Sequence, residues 1–497
     1  MLDSFDKIHF IGIGGIGMSG LARILLSQGK QVSGSDLKLS PLLEELGEAG
    51  AKVYAHHDPT HLPEGTEYVA VSTAISKQNP EYLEALRRGI PIIHRSEVLR
   101  YLLATSRGIS VTGTHGKTTT SALLSLILVD QGLDPTIVIG GEIPQLGTNA
   151  RAGTGEFTVA EVDESDQSLR RLSTEFALIT NLEVDHLDHY QGLDEIIEAV
   201  LEFISNQPEN GKIMINIDDP GNRLLIDRLP VERRANLVSF GLHATDADYR
   251  GINPQLSITG SSFEVEHQGV SIGRFELGIP GFHNIYNALT TITCAHVLNF
   301  NLAQVAESLK SYRGVKRRFQ LIGELPGDVK VIDDYGHHPS EIRATLSTAK
   351  LQNRPITAVF QPHRYSRTQA LLGDFAKSFE LADRIILTQI YAASENPEDF
   401  QVDIQQLVEL TRQENPDKSV LYFEKIEDIR TFLLQNLIPR ELILTIGAGN
   451  ITELSRLLVG KSRAAKAEHE ARPETKSETK IVYAPVSGLS PTQRQVV

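Results

Sequence analysis

Short runs of apolar residues alternate with longer segments of helical periodicity along most of the chain. The first run, residues 7–11, precedes a helical pattern from Met18 to Gln28 and a second strand that ends at Asp36. Runs at residues 68–72 and 90–94 continue the series. Buried strands separated by helices are typical of parallel sheets. The pattern therefore predicts an α/β protein.

Two further series of predicted strands and helices follow along the chain. One begins near Arg107, where the run 109–112 leads through a glycine turn into a helical pattern at 121–128. Alternation at residues 262–266 predicts antiparallel strands there. The last series begins near Lys316. Its strands are predicted at residues 329–335, 356–360 and 441–446.

The length of 497 residues agrees with about three domains of common size. We predict domain boundaries that give residues 1–106, 107–315 and 316–460. Glycine-marked joints near residues 106 and 315 are the expected hinges. After residue 460 the chain becomes polar and loses its periodicity, so we predict that residues 461–497 form a disordered tail without chemistry.

Charge and cysteine content narrow the possible environments and partners. The net charge of −15 argues against nucleic-acid binding, although it does not exclude sites for small anions. Cys294 is the only cysteine, which suits a reducing cytoplasm and excludes a disulfide within the chain. The sequence shows neither a signal-peptide pattern nor an apolar stretch near the ~18 residues of a membrane span. We expect a cytoplasmic protein without membrane insertion, as a monomer or weak dimer.

The strongest chemical signal lies between a predicted strand and a predicted helix, and it reads Gly113-Thr114-His115-Gly116-Lys117-Thr118-Thr119. Backbone N–H groups of such a turn point at phosphate oxygens. Lys117 would reach the β- and γ-phosphates, and Thr118 would place its hydroxyl on Mg²⁺. The full eight-residue phosphate-loop pattern has a first glycine at position 111, where this chain has Val111. The alternative is an ordinary strand-to-helix turn with a surface lysine.

A second glycine motif, Gly12 to Gly17, satisfies G-x-G-x-x-G after the first strand. By itself it favours NAD. The residues themselves indicate only a pyrophosphate at the helix N-terminus and a ligand hydrogen-bond donor that faces an acidic side chain. A UDP group offers both of these, as NAD does. The candidate ligand residues include three polar side chains at the carboxyl ends of later strands, where routine loop polarity is the alternative. The candidates are Gly14, Gly15, Gly17, Asp36, Ser72, Thr73 and His94.

Carboxylates and histidines follow two strands of the central region. We single out Glu161 and His186 as ligands of Mg²⁺ bridging nucleotide phosphates, with solvated loop acids as the ordinary alternative. A zinc site at His186 and His189 is disfavoured, because no third nitrogen or sulfur ligand is close in sequence. Asn284 and Asn287 share one face at the start of a helix and either cap it or bind a base or substrate.

The third region carries two polar segments after its strands. His337 follows the first strand, and His363, Arg364 and Arg367 follow the second. The two arginines can form a bidentate clamp for a carboxylate or phosphate, although exposed arginines are common.

Taken together, these motifs resemble the Mur ligases, and within them the alanine-adding branch, over residues 5 to about 458. The segments that carry the resemblance are Gly12 to Gly20, Gly113 to Thr119, Asp334 to Pro339, His363 to Thr368 and Gly447 to Ile451. The resemblance implies a Rossmann-like UDP-binding N-terminal domain, a central P-loop ATPase domain with ATP and Mg²⁺, and a Rossmann-like C-terminal domain that binds the amino acid.

The resemblance also implies roles for individual residues. Lys117 stabilises the migrating phosphoryl group, Thr118 and Glu161 bind one Mg²⁺, and His186 binds a second. Residues beside the nucleotide are Asn284, Asn287, Arg317 or Arg318, and Asp334. Around the alanine or its reaction partner lie His337, His363, Arg364 and Arg367.

The implied reaction joins L-alanine to UDP-N-acetylmuramate through an acyl phosphate, with ADP and phosphate as products. One departure concerns the carbamylated lysine that several Mur ligases use as a further Mg²⁺ bridge. No lysine occurs between Arg171 and Lys212, so this feature should be absent, which fits the alanine-adding branch.

Three other classes stay open at this point. A ligase for a recycled peptide, or a folate-type polyglutamate ligase, would share the ATP site and differ in the first domain. A nucleotide-dependent switch would need the phosphate loop without the arginine cluster. A dehydrogenase would leave the phosphate loop unexplained.

Overall fold

The computed structural model describes residues 4–163, 168–185, 190–393 and 395–460, with only the backbone considered at Ile16. Three separate sheets follow one another along the chain. The predicted α/β architecture is therefore confirmed, whereas the exact boundaries at residues 106 and 315 stay predictions. The predicted tail at 461–497 lies outside the described residues.

The first sheet is entirely parallel, with the order β3-β2-β1-β4-β5. Its strands are β1 (Lys7–Ile11), β2 (Gln31–Asp36), β3 (Lys52–Ala55), β4 (Tyr68–Val71) and β5 (Ile92–His94). The accompanying helices are α1 (Ile16–Ser27), α2 (Pro41–Glu48), α3 (Pro80–Arg88) and α4 (Arg95–Ala104). The strand order reverses between β1 and β4, and such a switch point opens a ligand crevice at the carboxyl ends of the strands. The first glycine motif lies there.

The second sheet has ten strands in the order β15-β14-β13-β12-β11-β10-β6-β9-β7-β8. In chain order they are β6 (Arg107–Thr112), β7 (Thr136–Ile143), β8 (Thr148–Arg151), β9 (Phe157–Glu161), β10 (Phe176–Ile179), β11 (Lys212–Asn216), β12 (Leu237–Gly241), β13 (Tyr249–Leu256), β14 (Ser261–His267) and β15 (Val270–Leu277). The centre is parallel, and β13 to β15 are antiparallel, as the alternating pattern predicted.

The α-helices described beside this sheet are α5 (Lys117–Asp130), α6 (Leu193–Ser205), α7 (Pro220–Arg228), α8 (Val231–Arg234), α9 (Phe282–Val297) and α10 (Leu302–Ser311). Helix α5 is buried at every position from Thr118 to Leu128, which explains why it is apolar nearly all round. Because the phosphate-loop motif connects the carboxyl end of β6 to α5, it lies at the carboxyl edge of the sheet. Cys294 is buried within α9.

The third sheet has the order β16-β17-β21-β18-β19-β20, and only the edge strand β16 is antiparallel to its neighbour. Its strands are β16 (Gln320–Leu325), β17 (Val329–Asp334), β18 (Ile356–Phe360), β19 (Arg384–Leu387), β20 (Ser419–Tyr422) and β21 (Leu442–Ile446). The helices are α11 (Pro339–Lys350), α12 (Tyr365–Ala370), α13 (Leu372–Ala376), α14 (Ile404–Glu414), α15 (Ile426–Gln435) and α16 (452–460).

The hydrophobic cores are distributed unevenly among the three sheets. One continuous core joins buried side chains of the first unit, such as Leu102 and Leu103, to Ala150 and Val162 of the second. The third unit has cores of its own on the two faces of its sheet. Within the described ranges, no helix is long and apolar enough to cross a membrane.

Candidate active site

The phosphate-loop segment forms a narrow turn between β6 and α5. Gly113 and Gly116 have φ values of +123° and +83°, which L side chains rarely adopt. A Cβ atom at position 116 would lie 2.4 Å from Asn287 Oδ1. Gly116 is also the N-cap of α5, and no described side chain caps this helix. The N–H groups of Thr114 and His115 donate to Asn181, and the start of α5 directs its helix dipole at the anion position.

Lys117 lies in the first turn of α5 and folds back over the loop. Its Nζ atom donates to the carbonyl oxygens of Gly113, at 2.6 Å, and Thr114, at 3.2 Å. The carboxylate of Asp163 lies 4.0 Å away. The Lys117 ammonium group is therefore held inside the loop that would surround the phosphate groups of a nucleotide.

Thr118 and Glu161 meet as the sequence predicted for a Mg²⁺ site. Thr118 Oγ1 donates to Glu161 Oε1 at 2.8 Å, and the Gly140 N–H donates to Glu161 Oε2 at 2.6 Å. Burial raises the pKa of Glu161 against the opposing effect of these hydrogen bonds. A buried carboxylate beside a hydroxyl is a hard-oxygen pair of the kind that Mg²⁺ prefers. The predicted ligand His186 lies outside the described residues.

Asn284 and Asn287 tie the start of α9 to the phosphate loop. Asn287 Oδ1 accepts from Thr120 Oγ1 at 3.2 Å, and its Nδ2 donates to Asn284 Oδ1 at 3.1 Å. Asn284 Nδ2 donates to Pro280 O at 2.7 Å. Gly281, and neither asparagine, is the N-cap of α9. The simple capping alternative is therefore wrong, and both amides are buried beside the loop.

His115 connects the phosphate loop to the third unit. Its Nε2 atom lies 2.9 Å from Ser340 Oγ and 3.5 Å from Glu183 Oε2, and its Nδ1 atom lies 3.5 Å from Glu341 Oε1. Burial lowers the pKa of His115, but hydrogen bonds to the two carboxylates outweigh it and raise the pKa to about 9. The ring is therefore an imidazolium at neutral pH.

Arg318 and Asp334 face the same cavity from the third unit. Arg318 Nη1 lies 3.4 Å from Glu341 Oε1, and its guanidinium lies over the ring of Tyr335 at 5.2 Å. Asp334 accepts from the N–H groups of Phe319 and Gly336 at 2.7 and 2.8 Å, and burial raises its pKa. The neighbouring Arg317 instead donates to Gly447 O at 2.6 Å. Of the two predicted arginines, Arg318 faces the cavity.

The cavity between the second and third units has a volume of about 600 Å³. Its wall includes residues from the phosphate loop, the start of α9 and the segment around β16 and α11. Among them are His115, Gly116, Thr118, Thr119, Asn284, Asn287, Arg318, Asp334 and Glu341. The structure thus brings most of the predicted ATP-binding residues to one cavity.

His337, His363 and Arg367 form a second group at the same junction. The rings of His337 and His363 lie 6.0 Å apart, and burial lowers their pKa values to about 4 and about 3. His363 Nδ1 is buried and has no hydrogen-bond partner within the described residues. Arg367 forms a buried ion pair with Asp185 of the second unit, with 2.9 Å between Nη2 and Oδ1. Its neighbour Arg364 is the N-cap of α12 with a φ of +72°.

The first glycine motif lies at a separate position, at the crevice of the first sheet. The Gly14 N–H donates to Asp36 Oδ2 at 2.8 Å, and the Leu37 N–H donates to Oδ1 at 2.7 Å. Gly15 is the N-cap of α1, again without a side-chain cap. A Cβ at Gly17 would lie 3.4 Å from the Arg95 guanidinium. Asp36 thus stabilises the turn by accepting two backbone hydrogen bonds, in addition to any bond that it forms to a ligand.

The other predicted residues of this crevice occupy the ends of β4 and β5. Ser72 and Thr73 follow β4, half-buried and exposed respectively. His94 ends β5 and caps α4, with its Nδ1 atom 2.9 Å from Ser96 Oγ. The structure therefore places all three at the crevice edge, and it gives His94 a structural role there.

Comparisons with known proteins agree with this three-part arrangement. The sequence matches the descriptions "Mur ligase family, catalytic domain" over residues 7–107, "Mur ligase middle domain" over residues 111–295 and "Mur ligase, glutamate ligase domain" over residues 317–449. The chain belongs to the Mur ligase family. Among curated relatives, UDP-N-acetylmuramate–L-alanine ligase of Geotalea uraniireducens (strain Rf4) is 42% identical over 463 residues, which are 93% of this chain and 99% of the relative.

Other relatives and solved structures agree with this assignment. The ligase of the same name from Geobacter sp. (strain M21) is 43% identical over 94% of this chain and the whole relative. The crystal structure of UDP-N-acetylmuramate-alanine ligase from Thermotoga maritima has a TM-score of 0.77 at 30% identity and covers 92% of this chain and 99% of that chain. A murein peptide ligase from Psychrobacter arcticus, at 22% identity and a TM-score of 0.67, shares the fold.

Four residues of this Mur ligase site escaped the sequence analysis as functional candidates, namely Glu183, Asp185, Ser340 and Glu341. Each makes a contact between the second and third units. Local signals existed for three of them: Glu183 and Asp185 belong to the carboxylates that follow a central strand, and Glu341 completes a capping box with His338 at the start of α11. Their contacts across the units, and the role of Ser340, could have been found only from the tertiary structure.

Proposed function

We propose that this Mur ligase joins L-alanine to the lactyl carboxylate of UDP-N-acetylmuramate, with conversion of ATP to ADP and phosphate, in cytoplasmic peptidoglycan precursor synthesis. The observation that carries the proposal is the meeting of the phosphate loop, the Thr118–Glu161 pair and the polar groups of the third unit at one junction. The near full-length similarity to alanine-adding ligases supports the choice of substrates.

The first step would activate the carboxylate. A carboxylate is a poor acyl donor at neutral pH, and transfer of the γ-phosphoryl group turns it into an acyl phosphate. This transfer depends mostly on positioning and on neutralisation of charge. Lys117, the start of α5 with its helix dipole and the imidazolium of His115 supply positive charge on the protein side. Mg²⁺, when bound at Thr118 and Glu161, would supply Lewis-acid stabilisation of the phosphate oxygens.

The second step would use the third unit. The amine of L-alanine attacks the acyl carbon, and phosphate leaves as the tetrahedral intermediate collapses. Because their pKa values are lowered to about 4 and 3, His337 and His363 are neutral at pH 7 and offer hydrogen bonds without charge. Arg364 and Arg367 are the candidate partners of the amino-acid carboxylate. Arg367 also pairs with Asp185 of the second unit.

The pyrophosphate of the UDP-sugar would bind at the turn after β1. The Gly15 N–H donates to Gly12 O at 3.2 Å, whereas the start of α1, which no described side chain caps, faces the crevice. This placement would anchor the acyl donor at a distance from the phosphate loop. Closure of the three units around the reactants would exclude water from the acyl phosphate.

Phosphate release tests the proposal directly. Full-length protein, ATP and Mg²⁺ are combined with UDP-N-acetylmuramate and a panel of single amino acids, with the peptide L-alanyl-γ-D-glutamyl-meso-diaminopimelate as a further acceptor. We expect turnover that requires both the UDP-sugar and L-alanine. Turnover with the UDP-sugar and the peptide, but not with the UDP-sugar and L-alanine, would assign a recycling ligase. Turnover of ATP without either substrate would favour a nucleotide-dependent switch.

A further inference from the structure

The hydroxyl of Ser340 lies at the centre of a polar contact between the second and third units. Ser340 belongs to the first turn of α11. Its Oγ atom lies 2.9 Å from His115 Nε2, 3.1 Å from Glu183 Oε2 and 2.6 Å from His338 Nδ1. His115 is part of the phosphate loop, so one hydroxyl of the third unit contacts the loop that would hold ATP.

His115, Glu183 and His338 also have the spacing of a metal site. One ligand atom of each lies within 4.8 Å of the others. The Ser340 hydroxyl, however, lies within about 3 Å of all three atoms and occupies the space between them. An ion with ligand distances near 2.1 Å would have to displace it. The arrangement is therefore a hydrogen-bonded hub, and we assign no metal to it.

The hub also determines the charge of the loop histidine. His115 donates Nε2–H to Ser340 Oγ, and its Nδ1 side faces Glu341 at 3.5 Å. Glu341 is fixed in turn, because it accepts from the His338 N–H at 3.2 Å in the capping box of α11 and from the His337 N–H at 2.8 Å. Of the two carboxylates that surround the imidazolium, Glu183 belongs to the second unit and Glu341 to the third.

We propose that Ser340 and Glu341 are positioning residues that couple docking of the C-terminal domain to the phosphate loop by holding the His115 ring. The inference rests on the proposed ATP-dependent ligase function. Undocking of α11 would remove the Ser340 hydrogen bond and one of the two carboxylates, so that His115 loses both its orientation and part of its counter-charge.

Three variants of α11 test this proposal in the full-length protein. Ser340→Ala removes the hub hydroxyl, and Ser340→Thr restores one. Ser347→Ala removes an exposed serine of the same helix and serves as the matched control. A hydrogen bond to a charged group contributes about 1.5–3 kcal/mol, which corresponds to roughly a 10- to 160-fold change. We expect Ser340→Ala to lower kcat at least tenfold with the Kd for ATP within threefold, Ser340→Thr to recover most of the loss, and Ser347→Ala to match wild type.

Hydrogen–deuterium exchange without substrates gives a second readout that is independent of the proposed reaction. Peptides that cover residues 113–120 should exchange faster in Ser340→Ala than in Ser347→Ala, while peptides from β13 to β15 stay unchanged. Unchanged exchange in the loop together with kcat within twofold of wild type would overturn the proposal. A parallel loss of thermal stability and of ATP affinity would also overturn it, because the role would then be merely structural. If wild type had no ligase activity but Ser340→Ala still showed faster exchange in residues 113–120, the result would count against the proposed function and not against the contact between Ser340 and the loop.

Discussion

Two glycines flank the helix that follows the phosphate loop, and they offer a matched pair of substitutions. Gly116 precedes α5 and Gly132 follows it, with φ values of +83° and +75°. A Cβ at Gly116 would lie 2.4 Å from Asn287 Oδ1, whereas a Cβ at Gly132 would meet nothing within 4 Å. Alanine therefore introduces the same backbone strain at both positions and a steric clash at only one.

The expected energies follow from these two terms. A left-handed conformation costs an alanine about 1 kcal/mol relative to glycine, so Gly132→Ala should lose about that much stability. Gly116→Ala adds overpacking, which costs about 1–3 kcal/mol. Relief of the clash requires Asn287 to move away from Thr120, with loss of a hydrogen bond worth about 1 kcal/mol. Gly116→Ala should thus be destabilising by roughly 2–4 kcal/mol more than Gly132→Ala.

Thermal unfolding and calorimetric titration with ATP measure the two effects. For a unit of this size, 1 kcal/mol shifts Tm by about 2–4 °C, so Gly132→Ala should show a shift of that order. It should keep the Kd for ATP within twofold. Gly116→Ala should unfold at a clearly lower temperature and bind ATP at least tenfold more weakly. Equal Tm values for the two variants, with ATP affinity intact in both, would refute the assignment of Gly116 to a crowded phosphate cradle.

Other substitutions test the remaining parts of the site. Lys117→Ala should reduce turnover by orders of magnitude in a phosphate-release assay while UDP-sugar binding stays intact, because charge stabilisation of the transition state is lost. Glu161→Gln should raise the Mg²⁺ concentration that gives half-maximal activity, and an unchanged Mg²⁺ titration would contradict the ligand role. Gly14→Ala places a Cβ 2.9 Å from Asp36 Oδ2 and should raise the KM for the UDP-sugar with the KM for ATP unchanged. The pKa of His115, raised to about 9 from 6.5, adds up to about 3 kcal/mol of stability below pH 6.5 that is lost as the pH rises through 9. Urea unfolding of His115→Gln should therefore show a weaker pH dependence between pH 6.5 and 9 than wild type.

Local motifs were the part of the site that the sequence could predict well. Residues 113–119 are consecutive, and the turn, its two left-handed glycines and the helix start are all built from that one segment. The helix itself was predicted at 121–128 and extends over Lys117–Asp130. The difference arises because the polar residues Thr118, Thr119 and Thr120 interrupt the apolar pattern although they are buried beneath the loop.

Contacts between distant segments could not be predicted in this way. His115 and Ser340 are 225 residues apart, and hydrophobic periodicity carries no information about which loops of different units meet. Asp36 illustrates a related difficulty. Its position after a strand predicted a hydrogen bond to a ligand, whereas the structure shows that both of its oxygens accept backbone N–H groups. A carboxylate at a strand end suits both roles, and only the turn geometry reveals the structural one.

The two predicted hinges, near residues 106 and 315, are physically unequal. The first unit shares a continuous apolar core with the second, and a Cβ at Gly20 of α1 would lie only 2.7 Å from the Ala150 side chain. Rotation at residue 106 would expose that apolar surface, at about 25 cal/mol per Å².

The junction of the second and third units instead contains polar contacts that water can replace. Besides the Ser340 hub, these include Lys316 with Glu142 at 2.6 Å and the buried pair of Arg367 with Asp185. Both partners regain water when the units separate, so each of these hydrogen bonds to a charged group contributes about 1.5–3 kcal/mol. Gly314, at a φ of +87°, lies at the connection itself. We therefore expect domain motion near residue 315, where it would open the ATP cavity, while the first two units move as one body.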